Sequence, residues 1–210
     1  KNIKGNSVKT ITLKSGEVIS VGQVVNASGP RARFTAQMAG IEIPVEPRKR
    51  YTFVFDAEHT LNCDLPLTID PTGIHMRSEG TYYLAGCAPD LDLAVDYNDF
   101  IEDHFIWQEK VWPIIANRIP QFESIKLINS WAGHYAFNTL DQNAIIGAHT
   151  EVENFMFVNG FSGHGFQQSP AMGRGLSELI TYGEYRSLDL SPFSYARIEN
   201  NEPFVEKAVI

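Results

Sequence analysis

The chain has 210 residues, of which 43% are hydrophobic and 20% are charged, and its formal net charge is −8. Such a composition is typical of a globular protein, and the length suffices for one substantial core or two small ones. The acidic balance and the lack of a dense basic run argue against nucleic acid as a partner. No apolar stretch reaches the roughly 20 residues that span a bilayer, so we expect no membrane span.

The cysteine and histidine content argues against a disulfide framework and a metal site. Two cysteines, Cys63 and Cys87, are too few for a disulfide framework, so we expect reduced, partly buried thiols. No secretory signal is visible, and we therefore expect a cytoplasmic location. The six histidines form no close pair at metal-ligand spacing, so a metal site is not expected.

The first predicted element is a β-hairpin. Residues 8–21 contain two alternating segments joined by a turn at Gly16. Residues 24–25 are both valine and predict a short buried strand, which runs into Asn26-Ala27-Ser28-Gly29-Pro30. A helix is expected over residues 31–38. On the pattern alone, this is a strand that ends in a turn before a helix.

The middle of the chain has the pattern of a mainly antiparallel α+β unit. Apolar residues at helical spacing predict a helix over residues 97–116, which Pro113 would kink or break. Short strands with turn residues between them are predicted at residues 51–55, 65–69, 73–77, 81–86, 124–131 and 144–147.

Charged residues in this middle part are candidates for binding. His75 and Arg77 stand two apart on one predicted strand and therefore on one face of it. Two interpretations remain open: the face lines a cavity, where the arginine binds a carboxylate and the histidine titrates near neutrality, or it is exposed to water. The basic run Arg48-Lys49-Arg50 is expected to be a solvated rim, with a role near a ligand as the weaker alternative.

The most distinctive stretch lies near the C-terminus. Residues 155–158 predict a buried strand, which meets a glycine-rich loop over residues 160–165. A helix is predicted to begin with Ser169 as its N-cap and Pro170 at its first position. Backbone N–H groups and the positive end of the helix dipole would then converge on one spot, which suits an anion or an electron-rich ring edge. Residues 187–210 show little regularity.

Two motifs resemble those of a known family. The loop Gly160-Phe161-Ser162-Gly163-His164-Gly165-Phe166, followed by Pro170 and Gly173, resembles the C-terminal flavin motif of the D-amino-acid-oxidase-like FAD-dependent oxidoreductases, which include sarcosine oxidase, glycine oxidase and dimethylglycine dehydrogenase. Residues 24–29 are similar to the second nucleotide motif of that family. Further matches at residues 73–79, 111–113 and 131–143 extend the resemblance to nearly the whole chain, most fully with a branch linked to assembly of respiratory complex I.

The resemblance implies an FAD site. His134 stands where sarcosine oxidase-like members carry the cysteine that bonds to the flavin, so non-covalent binding is expected. Gln167 replaces a lysine beside the flavin and brings no charge to that position. The residues implied in cofactor binding are Asn26, Ala27, Gly29, Gly160, Phe161, Ser162, Gly163, His164, Gly165, Phe166 and Gln167.

The resemblance also implies a substrate side, lined by His75, Arg77, His134 and Tyr135. Tyr135 stands where glycine oxidase-like members carry the arginine that binds the substrate carboxylate. The implied substrate is a small amine or amino acid, and the implied reaction is hydride transfer from its α-carbon to the flavin. A competing hypothesis is a non-catalytic binding or assembly protein that retains the fold.

The implied fold is α+β. An antiparallel-sheet substrate domain over residues 44–151 is flanked by two segments of an incomplete doubly wound α/β FAD-binding domain, residues 1–43 and 152–186, and residues 187–210 form a C-terminal arm. The sequence has no Gly-x-Gly-x-x-Gly after a strand. We therefore expect a C-terminal fragment, whose partner is the missing N-terminal half of the same polypeptide. We expect the fragment alone to be inactive and to bind FAD poorly or not at all. The sequence leaves a homo-oligomer open, including a fragment that folds alone as a structural or dimeric domain without flavin.

Overall fold

The computed structural model describes residues 3–4 and 6–207. These residues form two compact units, one from residues up to 47 and from 135 onward, the other from residues 48–134. The strands are β1 (Ile3–Lys4), β2 (Ser7–Val8), β3 (Thr10–Thr12), β4 (Val18–Ser20), β5 (Val24–Asn26), β6 (Val45–Ala57), β7 (Thr68–Ile69), β8 (His75–Glu79), β9 (Tyr82–Cys87), β10 (Ile125–Asn138), β11 (Ile145–Ala148) and β12 (Phe155–Asn159). The α-helices are α1 (Ala32–Met38), α2 (Trp112–Arg118), α3 (Gly165–Tyr182) and α4 (Ala196–Glu199).

The first unit contains a three-stranded sheet in the order β11-β12-β5. Strand β5 pairs in parallel with β12, so that Asn26 lies opposite Phe157, whereas β11 pairs antiparallel with β12. The parallel pair confirms the strand predicted at residues 24–25 and places it beside the strand that precedes the glycine loop. The prediction that this strand is buried was wrong for Val25, which is 39% exposed. The doubly wound arrangement of a complete FAD domain stays a prediction. The predicted hairpin is present as β3 paired with β4.

Strand β12 is apolar along most of its length because side chains on both of its faces are buried. Phe155, Met156 and Phe157 are each at most 5% exposed, and burying such a side chain contributes about 1.5–3 kcal/mol. Helix α1 packs into the same cluster through Ala32 and Ala36, which are fully buried. The strand that leads into the glycine loop is therefore held firmly.

Helix α3 begins at Gly165, earlier than the N-cap predicted at Ser169. Pro170 consequently lies inside the helix, where it cannot donate a hydrogen bond to the carbonyl of Phe166 four residues earlier. The hydroxyl of Ser169 donates to that carbonyl at 2.9 Å and replaces the missing bond. The prediction was wrong because a Ser-Pro pair that usually begins a helix is here accommodated one turn inside it.

The second unit is built on a five-stranded sheet in the order β10-β6-β9-β8-β7. Strand β9 pairs antiparallel with both β6 and β8, which confirms the antiparallel arrangement predicted for this region. Tyr51, Phe53 and Phe55 alternate with more exposed residues along β6 and face the core. The ring of Phe55 lies 5.1 Å from that of Phe122, edge to face, so the core is largely aromatic.

The helix predicted over residues 97–116 is present only in its second half. A π-helical turn, Trp107–Val111, leads directly into α2, and Pro113 is accommodated in the first turn of α2. The carboxylates of Asp96, Asp99 and Asp103 each accept a hydrogen bond from the backbone N–H two residues later, at 2.8, 3.1 and 3.0 Å. Such local bonds compete with the helix and hold the earlier residues in turns.

The structure also bears on the two cysteines and on the expected lack of a membrane span. Cys63 is an exposed free thiol, and Cys87 is a buried free thiol whose pKa is raised to about 11 by burial. No helix in the described part of the chain combines the length and the apolar character that crossing a bilayer requires.

Candidate cofactor site

The glycine loop adopts backbone angles that few residues tolerate. The φ angles of Gly160, Ser162 and Gly163 are +71°, +49° and +101°, in the left-handed region that favours glycine. A Cβ added at Gly163 would lie 2.5 Å from the ring of Tyr135, and one added at Gly160 would lie 3.3 Å from the Cβ of Asn138. The loop therefore packs directly against the last residues of β10.

Ser162 is held in its unusual conformation by hydrogen bonds inside the protein. Its backbone N–H donates to the carbonyl of Ala136 at 3.0 Å, and its hydroxyl oxygen accepts from the N–H of Asn138 at 2.9 Å. The hydroxyl also donates to the carbonyl of Gly160 at 3.3 Å, and the residue is fully buried. Ser162 thus shapes the loop, and its side chain is not turned toward solvent.

The N-terminus of helix α3 follows the loop and presents backbone N–H groups. His164 is the N-cap residue, and its side chain makes no capping hydrogen bond, so the first N–H groups of the helix have no partner within it. The Nδ1 atom of His164 is buried and has no hydrogen-bond partner among the described residues. Phe166 is 93% exposed. These features suit an anion or a polar ring edge placed beside an apolar surface.

A second cluster of polar side chains lies where β5 and β12 end. Because these strands are parallel, their carboxyl ends meet, and Asn159 Nδ2 donates to Asn26 Oδ1 at 3.4 Å. Asn26 is 1% exposed, and its Nδ2 donates to the carbonyl of Ala32 at 2.9 Å. Asn159 Oδ1 is buried and has no partner in the described part of the chain. The structure therefore joins the predicted nucleotide segment to the strand that leads into the glycine loop.

Next to Asn26, residues 27–29 leave open space. Ala27 is exposed, and Gly29 has a φ of +55° with nothing within 4 Å of the position of an added Cβ. Ser28 is half-buried, and its hydroxyl donates to Asn26 Oδ1 at 2.7 Å. A ligand can therefore approach the backbone of this segment closely.

His75 and Arg77 share one face of strand β8, as predicted, while Met76 between them is fully buried on the other face. Burial lowers the pKa of His75, and the charges of Arg50 and Arg77 act in the same direction. Arg77 is exposed and forms an ion pair with Glu79 at 2.5 Å. One member of the predicted pair is thus half-buried and the other lies in water.

His134 and Tyr135 are neighbours on β10 and therefore project to opposite faces of the strand. Nε2 of His134 lies 2.7 Å from the carbonyl oxygen of Asp99, and its ring stacks on that of Phe100 at 4.4 Å. Tyr135 instead packs on Gly163. Of the four residues implied in the substrate side, Tyr135 is the one in the unit that contains the glycine loop.

The basic cluster at residues 48–50 is not a solvated rim. Lys49 and Arg50 are 9% and 8% exposed. Lys49 Nζ lies 2.8 Å from Asp99 Oδ1, and the Arg50 guanidinium binds both oxygens of Asp92, at 2.8 and 3.0 Å. The alternation of β6 places these residues in the sheet, and acidic residues distant in the sequence neutralise them.

One ion pair close to the loop is not predicted by the sequence. Asp141 lies in the turn after β10, and Arg197 lies in the short helix α4 of the C-terminal arm. They form a buried ion pair in which Arg197 Nε lies 2.7 Å from Asp141 Oδ2. Asp141 in turn accepts a hydrogen bond from Asn138, the residue that holds Ser162.

Comparison with known proteins identifies the family. Residues 1–179 match the model of the DAO family, described as FAD dependent oxidoreductase. The chain belongs to this family. It is 42% identical over 200 residues to FAD-dependent oxidoreductase domain-containing protein 1 of Xenopus laevis. The aligned region covers 89% of this chain and 40% of that protein. The chain therefore spans about 40% of the length of this curated relative.

A sarcosine oxidase and a dehydrogenase are also similar. Monomeric sarcosine oxidase of a Bacillus species is 44% identical over 59 residues, 28% of this chain and 15% of that protein. The crystal structure of L-proline dehydrogenase from P. horikoshii superposes with a TM-score of 0.83 at 28% identity, over 96% of this chain and 53% of that one. Family membership implies FAD as the cofactor.

The residues present fit such a cofactor. Asn159 Oδ1 and His164 Nδ1 are buried polar atoms without partners among the described residues, and buried polar groups normally have one. The uncapped N-terminus of helix α3 adds N–H donors. Gly29 and Gly163 both have positive φ angles at which other residues are strained. Among the described residues, no group of three or more His, Cys, Asp or Glu side chains is placed to hold a metal ion.

Proposed function

We propose that this chain is the C-terminal part of an FAD-dependent oxidoreductase that oxidises the carbon–nitrogen bond of an amine or amino acid. The observation that carries the proposal is the glycine loop, which lies against Tyr135 and leads into an uncapped helix beside the unpaired Nδ1 of His164. The name L-proline dehydrogenase, borne by the solved relative, supports an amino-acid substrate.

The proposed cofactor contacts come from two places in the first unit. The flavin ring would be held non-covalently by Gly160 to Gln167, and the nucleotide would be flanked by Asn26, Ala27 and Gly29. Bound FAD supplies the electron acceptor for the oxidation. Helix α3 would stabilise negative charge beside its N-terminus, because its first N–H groups are uncapped and its dipole is positive there. Phe166 would cover the ring edge and exclude water.

On the substrate side, we assign roles to His75, Arg77, His134 and Tyr135. The lowered pKa of His75 keeps its imidazole neutral at pH 7, where it can accept a hydrogen bond from a substrate ammonium group. Arg77 would bind a substrate carboxylate in exchange for Glu79, a replacement that is inexpensive because exposed ion pairs contribute about 0–1 kcal/mol. Tyr135 would orient the substrate over the loop, and His134 would support the strand.

The test is the visible absorption spectrum of the purified complete polypeptide, recorded before and after addition of FAD and desalting. We expect a retained flavin band that N-methyl or primary amino acids bleach under anaerobic conditions. His164→Ala should weaken FAD retention, whereas the control His59→Ala, at an exposed position in the other unit, should not. A colourless complete polypeptide would refute the flavoenzyme proposal.

A flavin band that no amine bleaches would instead favour the second candidate, a non-catalytic flavoprotein that serves in binding or assembly. One observation supports that candidate: the exposed guanidinium of Arg77 already has Glu79 as a partner. If amines bleach the wild type, Arg77→Ala tests the substrate role of that residue. Loss of bleaching with normal FAD retention supports the role, and no effect on either measurement shows that Arg77 has none.

A further inference from the structure

A buried guanidinium in the C-terminal arm, that of Arg197, binds the turn after β10. Arg197 is 5% exposed, and its Nε donates to Asp141 Oδ2 at 2.7 Å. Its Nη2 donates to the carbonyl of Ala144 at 2.8 Å, and its Nη1 donates to the carbonyl of Phe193 at 2.7 Å. The planar fork of an arginine can make these bonds at once, and the flexible ammonium of a lysine cannot. Arg197 thus ties the turn and the arm together.

The carboxylate of Asp141 is saturated with donors. It is 2% exposed. Oδ1 accepts from Asn138 Nδ2 at 2.8 Å and from the N–H of Asn143 at 3.1 Å, and Oδ2 accepts from Arg197 and from the N–H of Phe204 at 3.0 Å. A buried ion pair is favourable only with such complete hydrogen bonding. Loss of Arg197 would therefore disturb every group that Asp141 binds.

Asn138 carries this network to the glycine loop. Its side chain is fixed by Asp141 and by the carbonyl of Asn143, at 2.8 and 2.7 Å, and its backbone N–H donates to the Ser162 hydroxyl at 2.9 Å. Ser162 needs that support because a serine with a φ of +49° is strained. Asn138 therefore joins the Asp141 carboxylate, through its side chain, to the loop, through its backbone N–H.

We infer that Asp141 and Arg197 are positioning residues for the glycine loop, so that the C-terminal arm sets the conformation of residues 160–165. The inference rests on the proposed function in one respect, namely that this loop contacts the flavin. It goes beyond that function because it assigns a role in the site to an arm that is distant in the sequence. Neither residue touches the cofactor in this scheme, and both act through Asn138 and Ser162.

The first test is amide hydrogen exchange of the peptide that contains residues 160–167, measured in the complete polypeptide. Arg197→Lys keeps the charge but loses the fork, and Ser162→Ala removes the acceptor in the loop itself. We expect roughly tenfold faster exchange in each variant, and no further increase in the double variant, because both changes break the same link. Glu178→Gln is the control, since Glu178 anchors the same arm to helix α3 through Ser187 and not to the loop.

The second test is the affinity for FAD and the visible spectrum of the bound flavin. Arg197→Lys should weaken FAD binding about tenfold, the change that 1.4 kcal/mol produces, and should shift the flavin band, whereas Glu178→Gln should lower only the melting temperature. Unchanged loop exchange in folded Arg197→Lys and Ser162→Ala would overturn the inference. If the variants exchange faster but the wild-type protein binds no flavin, the proposed function is overturned and the coupling between arm and loop still stands.

Discussion

Gly163 and Tyr135 are packed so closely that only a residue without a side chain fits between the loop and the ring. A Cβ at Gly163 would lie 2.5 Å from Cε2 and 2.6 Å from Cζ of Tyr135, and the φ of Gly163 is +101°. The ring is half-buried, so a side chain at position 163 would have to displace it. The backbone conformation therefore favours glycine at this position, and the close approach of the ring adds to that preference.

Replacement of Gly163 by alanine should lower both the stability of the protein and its retention of flavin. We expect Gly163→Ala to destabilise the protein by about 2 kcal/mol or more, because overpacking of about 1–3 kcal/mol adds to left-handed strain of about 1–2 kcal/mol. Flavin retention should be lost. The control is Gly16→Ala, where φ is +89° and nothing lies within 4 Å of the added Cβ, so that strain alone acts. Wild-type flavin retention in Gly163→Ala would contradict the close packing.

Two glycines of helix α3 should respond to alanine in opposite directions. A Cβ at Gly173 meets nothing within 4 Å, whereas one at Gly175 would lie 2.3 Å from Cδ1 of Leu190. Gly173→Ala should stabilise the protein by about 0.5–1 kcal/mol through helix propensity. Gly175→Ala should destabilise it by about 1–3 kcal/mol through overpacking. Thermal melting of the two variants is the measurement, and equal shifts would refute the assigned contact with Leu190.

The sequence predicted those parts of the fold that local patterns determine. The valines of β5 and the apolar run of β12 were recognisable as strands, and both are present as a parallel pair. The alternation of Tyr51, Phe53 and Phe55 likewise marked the core-facing side of β6. In β12 and β6 the side chains that define the pattern are those that the core buries, whereas Val25 of β5 is 39% exposed.

Other parts depend on interactions that no local pattern shows. The helix expected from residue 97 is replaced by aspartate turns, since three carboxylates bind the backbone two residues later. The Asp141–Arg197 pair joins residues 56 apart in the sequence, and each residue alone has the sequence context of a surface turn. The pairing of Asp141 with Arg197 near the glycine loop therefore could not be predicted from the sequence.

Glu178 should make the stability of the first unit depend on pH in the acidic range. Ser187 donates to its carboxylate through both the hydroxyl and the backbone N–H, and Arg186 donates through its own N–H. The Ser187 hydroxyl is the largest of the causes that lower the pKa of Glu178 from 4.5 to about 2. The lowered pKa stabilises the fold above pH 4.5, and this contribution is lost as the pH falls toward 2.

We therefore expect Glu178→Gln to lower the melting temperature at pH 7 and the difference from wild type to shrink below pH 4.5. Glu184→Gln is the matched control, because its ion pair with Arg186, at 3.5 Å, is exposed and such pairs contribute about 0–1 kcal/mol. A difference between Glu178→Gln and wild type that stays constant down to pH 2 would show that the charge of Glu178 is not what anchors Ser187.

His149 should give the fold a second pH dependence, close to neutrality. Its Nδ1 accepts hydrogen bonds from the N–H groups of Glu151 and Val152, at 2.9 and 3.0 Å, and its ring stacks on Tyr195 at 4.6 Å. Burial lowers its pKa below the ordinary 6.5, against the opposing charge of Glu199. The unfolded chain then takes up the proton more readily than the folded one, so stability is present above pH 6.5 and is lost as the pH falls through the folded pKa.

His149→Asn separates this effect from the packing of the ring. An asparagine oxygen can accept the same two backbone N–H groups without titrating, although it loses the stacking on Tyr195. The variant should therefore melt at a lower temperature than wild type at pH 8, and its melting temperature should fall less between pH 8 and pH 5. His59→Asn, at an exposed position, should keep the wild-type pH profile. If His149→Asn also keeps the wild-type pH profile, protonation of His149 does not control stability in this range. The ring nitrogen that accepts both N–H groups would then have been removed without changing the pH dependence.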